Sequence, residues 1–217
     1  MSFTPNLLTP TVVNYMVYTE DESEFLGTAQ VTLPSLSFLT QEVRGSGIMG
    51  AITVPIIAEL QSMQIQLQMM ALSDQAYKIA EHKVQTLVLY EAQEHTNLSN
   101  YAMGIASVRH TMKIMTTQMD GGTLQPQSVS NPNINASVLY WKVERGDASE
   151  SGSPDYTKIM ELDPINYICF INGTDYAALV RNAMGKSSSS GGESGGSSGG
   201  ESGGETGGET GGSGGGA

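Results

Sequence analysis

Seven consecutive residues constrain this chain more than any others: Met63-Gln64-Ile65-Gln66-Leu67-Gln68-Met69 alternates apolar and amide side chains without a break. Successive side chains of a strand point to opposite faces, whereas a helix brings together residues three and four apart, so this period is that of a half-buried strand. Met63, Ile65, Leu67 and Met69 form one face, suited to a core. Gln64, Gln66 and Gln68 form a neutral polar row on the other. Such a strand needs neighbours, because unpaired edge N–H and C=O groups invite pairing with other chains.

The rest of the sequence supplies those neighbours. Thr11 to Tyr18 is rich in β-branched and aromatic residues, and after the acidic turn at residues 20–24 comes FLGTAQVTLPSL. In that second strand Ala29, Val31 and Leu33 share one face and Thr28, Gln30 and Thr32 the other, and Pro34, which has no N–H to donate, ends or bulges it. Arg44-Gly45-Ser46-Gly47 marks a turn, and the strand-like ITVPII beyond it carries Pro55, which makes that segment an edge or a bulge. VQTLVLYEAQEHT can be read as helix or strand; its alternating, β-branched Val84, Thr86, Val88 and Tyr90 favour strand. From Ile105 to Gln118, Val108, His110, Met112, Ile114 and Thr116 face one way and Arg109, Thr111 and Lys113 the other. Asp120-Gly121-Gly122 ends that strand, a polar loop runs from Gln125 to Asn135, and ASVLYWKVER is again β-like. In YTKIMELDPINYICFING, Asp163-Pro164 separates two strands and Asn172-Gly173 signals a tight turn.

Two segments read as short helices. SDQAYKIAEH opens with Ser or Asp as a cap and carries Ala76, Tyr77, Ile79 and Ala80 at helical spacing. TDYAALVRNAMG has Thr174 as the expected N-cap, Ala177, Leu179, Val180 and Ala183 on the apolar side, and Gly185 at its end. The fold class is therefore mainly β, an antiparallel sandwich or partial barrel with one or two short helices.

Fifteen of the 26 glycines fall between Gly191 and Gly216, which sets a boundary near Lys186: a folded domain over residues 1–186 and a Gly/Ser/Glu-rich tail over 187–217. Repeats such as GGES and GGET hold no apolar area to bury, and the expectation there is flexible coil. The tail carries four of the carboxylates and no base, so the domain alone retains −8 of the formal −12 charge. That balance argues against a protein that grips nucleic acid with Lys and Arg, yet suits one that nucleic acid merely passes. No stretch approaches the roughly 18 apolar residues of a membrane span. MSFTPNLLTP lacks the basic and apolar parts of a signal peptide, so assembly in a cytoplasm is expected.

Nothing in the chain builds a catalytic, cofactor or metal site. His82, His95 and His110 stand apart from one another and from the single Cys169, which lies in an apolar run as a small hydrophobe. Gly45-Ser46-Gly47 is followed by neither GK[ST] nor a helix, so it is a turn rather than a phosphate loop. No nucleophile, base and oxyanion donor can be assembled, and the chain is expected to be no enzyme.

Two blocks in order carry a resemblance. FLGTAQVTLPSL, VRGSGIMGAITVP and the alternating strand at Met63 follow the order seen in major tail tube proteins of contractile phage tails, the family that includes R-type pyocin tubes. MELDPINYICFINGTDYAALVRNAMG is similar to that family's closing segment through Glu161, Leu162, Asp163, Pro164, Asn166, Ile171, Asn172, Gly173, Arg181, Asn182 and Gly185. Residues 83–118 match it poorly, and the Gly-rich tail lies beyond the family's usual end.

The resemblance implies a virion structural protein, made in the bacterial host cytoplasm, whose hexameric rings complete one inner β-barrel and stack into the tail tube. Its partners would be further copies of itself, the tail sheath, baseplate and tail terminator proteins, and DNA crossing the lumen without specific binding; no membrane is involved. About four strands from each of about six subunits, about 4.8 Å apart and tilted about 40°, give a circumference near ~150 Å, enough for DNA. Gln64, Gln66 and Gln68 are then expected to face the lumen, and the loop at Arg44, Gly45 and Gly47 to touch another subunit or ring. The alternatives are the tube of a headless injection particle, a bacteriocin or secretion-type device, and, from another class, a monomeric β-sandwich adhesion or binding module.

Overall fold

A computed structural model describes residues 11–19, 25–26, 28–147 and 152–186; the expected acidic turn at 20–24 and the Gly-rich tail at 187–217 lie outside the described residues. Among the described residues the strands are β1 (Thr11–Thr19), β2 (Thr28–Thr32), β3 (Phe38–Val43), β4 (Ile52–Leu60) and β5 (Met63–Met69), then helix α1 (Asp74–Ala80). There follow β6 (Gln85–Asn97), β7 (Ala102–Asp120), β8 (Asn133–Asp147), β9 (Thr157–Asp163), β10 (Ile168–Ile171), β11 (Thr174–Asp175) and helix α2 (Ala178–Ala183). The fold is mainly β, and every strand pair is antiparallel.

Most strands join one sheet in the order β1-β6-β7-β8-β9-β10-β11, but β8 has two neighbours on its far side. Its first half, Asn133 to Val138, pairs with β5, which in turn pairs with β2; its second half, Trp141 to Arg145, pairs with β9. The sheet forks at a bulge. Lys113 lies opposite Tyr140 and Ile114 opposite Val138, which leaves Leu139 without a partner on β7. One extra residue reverses the side to which later side chains point. Ile134, Ala136 and Val138 are buried before it, Trp141 and Val143 after it. The core gathers these residues with the apolar face of β5, with Leu87 and Leu89 of β6 and with Met112 and Ile114 of β7.

Strand is the outcome for Gln85–Asn97, and on β7 Val108, His110, Met112 and Ile114 are all buried as the alternation requires. Ser73 caps α1, its Oγ accepting from the Ala76 N–H at 3.3 Å, and Ala76 and Ile79 bury. Pro55 sits on β4, a strand of a separate two-stranded sheet, next to an irregularity: Phe38 pairs with Leu60 but Thr40 with Pro55. Two strands are longer than short elements, β7 with 19 residues and β8 with 15: β8 serves β5 and then β9 along one side, and β7 pairs with β6 over Ala102–Ile114 and with β8 over Ala106–Asp120.

Three local expectations are corrected. β2 stops at Thr32, so Leu33 does not share its inner face; Leu33 is exposed and Pro34 is buried instead. Thr174 does not cap a helix, because Asn172 and Gly173, at φ 47° and 88°, turn the chain straight into β11 and Thr174 pairs with Ile171. No side chain caps α2, whose N-cap position is Ala177; Asp175 Oδ1 accepts from the Ala177 N–H at 3.0 Å in the turn that leads into it. α2 is therefore only six residues long, and Leu179 and Ala183 point outward while Ala177 and Arg181 are buried.

Candidate functional site

The polar side of β5 belongs to a wider surface. Gln66 lies opposite Thr32 on β2 and Asn135 on β8, and Asn135 lies opposite Gln118 on β7. A second row runs Gln30, Gln68, Asn133 and Asp120 in the same strand order, and a third joins Gln64, Ser137 and Met115. Four strands, β2-β5-β8-β7, thus present one face made mostly of amides and hydroxyls, with Met115 and the Asp120 carboxylate at its β7 margin. Met63, Ile65, Leu67 and Met69 behind it are at most 2% exposed, so the alternation read from the sequence is the alternation of burial. Gln64 and Gln66 are exposed and Gln68 is half-buried.

None of residues 28–32, 63–69, 115–119 and 133–138 is charged, although 15% of the chain is. Apart from Asp120 at the end of β7, charge begins where the fork does. Beyond Leu139, Glu144 accepts from Arg109 at 2.7 Å and pairs with Lys142 at 3.1 Å, and the Arg109 guanidinium lies 4.3 Å from the Tyr156 ring centroid. Burial by itself would raise the pKa of Glu144, but the hydrogen bonds and charges of Arg109 and Lys142 outweigh it and hold the carboxyl below its ordinary range. A shallow cleft of about 250 Å³ on the uncharged face is lined by Gln30, Thr32, Gln66, Gln68 and Asn133.

The second surface is the β3–β4 hairpin. Arg44, Gly45 and Gly47 form its tip, where Gly47 and Gly50 take φ of 92° and 106°, values that favour glycine. Arg44 pairs with Glu42 two residues back. Leu39, Val43, Ile52, Val54, Ile56 and Ile57 are all exposed on its strands, and Met49 beside the tip is fully exposed. A two-stranded ribbon is marginal in water by itself. So much exposed apolar surface on one is the signature of an interaction surface.

The residues of the closing segment lie on the other branch of the fork and hold structure. Asp163 Oδ1 accepts from the N–H groups of Ile165 and Asn166, and Oδ2 from the Asn166 side chain at 2.7 Å, which closes the turn over Pro164. The Arg181 guanidinium donates to Asp175 at 2.7 Å and to the Tyr167 carbonyl at 2.8 Å, tying α2 to the β9–β10 turn. Asn182 and Gly185 finish the helix through the Gly185 N–H to Asn182 carbonyl bond. These residues do not meet the glutamine row. Sequence reading missed the partners of that row, Gln30, Thr32, Asn133, Asn135, Ser137 and Gln118. The period-two pattern of Asn133, Asn135 and Ser137 was the signal that pointed to them.

The described residues thus form a mainly β, antiparallel protein with a largely uncharged polar sheet face and an apolar hairpin left bare. The family model for phage tail tube protein FII matches residues 10–185, and the chain belongs to that family. It is a tail tube protein of contractile tail-like systems, structural and non-enzymatic, in agreement with the resemblance carried by the two sequence blocks. The matched span includes 83–118, the region where that resemblance was weakest. Among curated proteins no sequence matches the chain. Solved structures similar to it include the sheath–tube complex of an extracellular contractile injection system (PVC) in the extended state, with TM-score 0.42, 14% identity and coverage of 62% of this chain and 88% of that one. The sheath/tube terminator of the same system is similar at TM-score 0.44 and 14% identity, covering 62% and 94%.

Proposed function

We propose that this chain forms stacked hexameric rings and that the β2-β5-β8-β7 face lines the channel through which DNA crosses a contractile tail. The supporting observation is the absence of charge from residues 28–32, 63–69, 115–119 and 133–138, which make up that face apart from Asp120 at its margin. Lysines or arginines there would hold the phosphates by releasing counterions, and a dense carboxylate wall would repel them. Amides and hydroxyls bond to water and leave the backbone free to slide. Four strands per copy also match the share needed for a barrel of about 150 Å circumference.

The β3–β4 hairpin then reaches a neighbouring subunit or ring, where its apolar side chains are covered. The sheath surrounds the tube, and baseplate and terminator proteins meet its two ends. DNA is preferred as cargo to that of a headless injection particle because the family matched is that of phage tail tubes. Replacing Gln64, Gln66 and Gln68 together with Lys tests the channel assignment. Tubes should still form, and DNA ejection should slow in a way that added salt relieves. Ejection at the normal rate, or loss of tubes, would place the glutamines elsewhere.

A further inference from the structure

Among the described residues Met16, Met49, Met70, Met103 and Met184 are exposed, and Met49 stands apart from the rest. It sits at the apex of a tight turn between β3 and β4: the Gly50 N–H donates to the Ile48 carbonyl at 3.1 Å, a bond that spans Met49 alone, and the Ile48 N–H donates to the Gly45 carbonyl at 3.2 Å. Such a three-residue turn gives its central side chain no partner across it. Gly47 and Gly50 on either side have nothing within 4 Å of the place a Cβ would take, so the turn stands clear of the domain. Met49 is accordingly 106% exposed, Met103 follows at 72%, and Met63, Met69 and Met112 are buried.

We infer that Met49 makes assembly sensitive to oxidation: hydrogen peroxide converts free subunits to the Met49 sulfoxide, and those subunits stay out of the tube until the sulfoxide is reduced. This rests on the reading that the β3–β4 hairpin contacts another copy, and it names what regulates that contact. In the step itself the thioether sulfur attacks one peroxide oxygen. The S–O bond forms as the O–O bond breaks, the sulfur is oxidised and the peroxide reduced, and the departing hydroxide takes the proton of the transferred oxygen and leaves as water. A soft apolar group thereby becomes a polar one with a strong acceptor oxygen. On the free hairpin water bonds to that oxygen. The apolar side chains beside it, Ile52, Val54, Ile56 and Ile57, offer no donor, and the Arg44 guanidinium at the tip is engaged by Glu42. Covering the hairpin therefore strips the sulfoxide of its water without replacing the bond, a cost that opposes assembly. The same covering shields the unoxidised thioether once the tube is built.

Peroxide treatment of unassembled protein, read by peptide mass spectrometry and electron microscopy, tests this. Met49 should gain oxygen ahead of Met103, and the yield of tubes should fall in step with the Met49 sulfoxide. Methionine sulfoxide reductases, one for each epimer, should restore both the thioether and the tubes. Met49→Leu, close in volume and without sulfur, should form tubes and go on forming them after the same treatment. Met49→Gln places a permanent polar group at the apex and should assemble poorly with no oxidant present. In finished tubes Met49 should oxidise several-fold more slowly than in free subunits. Normal tubes from subunits oxidised at Met49 would overturn the inference and leave the ring reading standing. So would earlier oxidation of Met103, or Met49→Leu chains that peroxide disables equally. The reductase arm uses the unaltered chain and decides the matter if Met49→Leu does not assemble. Absence of tubes from untreated, unaltered protein would overturn both readings.

Discussion

The Trp141 indole N–H donates to Nδ1 of His110 at 3.3 Å, so the proton of neutral His110 sits on Nε2, facing Glu91 at 3.4 Å. Burial of the ring lowers the His110 pKa below 6.5, and the Glu91 carboxylate only partly offsets it. Because the folded value is the lower one, the unfolded chain takes up the proton first as pH drops. Stability from this site is complete above 6.5 and is lost as pH falls through the folded value. His110→Gln keeps an acceptor for Trp141 and a donor for Glu91 while removing the titration. Its urea midpoint should change less than that of the unaltered domain between about pH 7 and about pH 5; parallel curves would refute the assignment. Residue-level chemistry was partly legible. His110 fell on the inward face of its strand, but the approach of Glu91 and Trp141 from two other strands was not, since each lies many residues away.

Among the elements, β5 most directly turns pattern into structure. Leu67 is fully buried between Val31 and Ile134, its register partners on β2 and β8, whereas Gln66 one residue earlier is exposed. Leu67→Ala should cost about 2–5 kcal/mol in chemical denaturation, from lost transfer energy plus a cavity. Gln66→Ala should stay within about 0.5 kcal/mol. Similar costs at both positions would mean that the two faces are not divided as described. Turn chemistry was equally readable, as Asn172-Gly173 and Asp163-Pro164 illustrate. The end of the chain was less so. Thr174 satisfies the usual capping preference, yet the two-residue turn before it spends Thr174 in strand pairing, and α2 is left with no side-chain cap. Local preference gave way to hairpin register.

For the whole molecule, the folded domain is unfinished by itself, with the β3–β4 hairpin holding its apolar side chains in water. Val54→Lys with Ile57→Lys, both at exposed positions, should leave the monomer's stability within about 1 kcal/mol and abolish tubes seen by electron microscopy. Normal tubes from that variant would show that the hairpin contacts nothing. Sequence by itself determined the β class, the buried and polar faces of β5 and β7, the principal turns and the family resemblance, because period, turn residues and capping residues act over a few neighbours. Only the tertiary structure decided that β8 forks at Leu139, that the paired Arg109, Lys142 and Glu144 gather on one side of that bulge, and that Thr32, Gln66, Asn135 and Gln118 fall in one row. Those are matters of register between strands as many as a hundred residues apart. No local preference encodes them; they follow from packing the apolar faces into a single core.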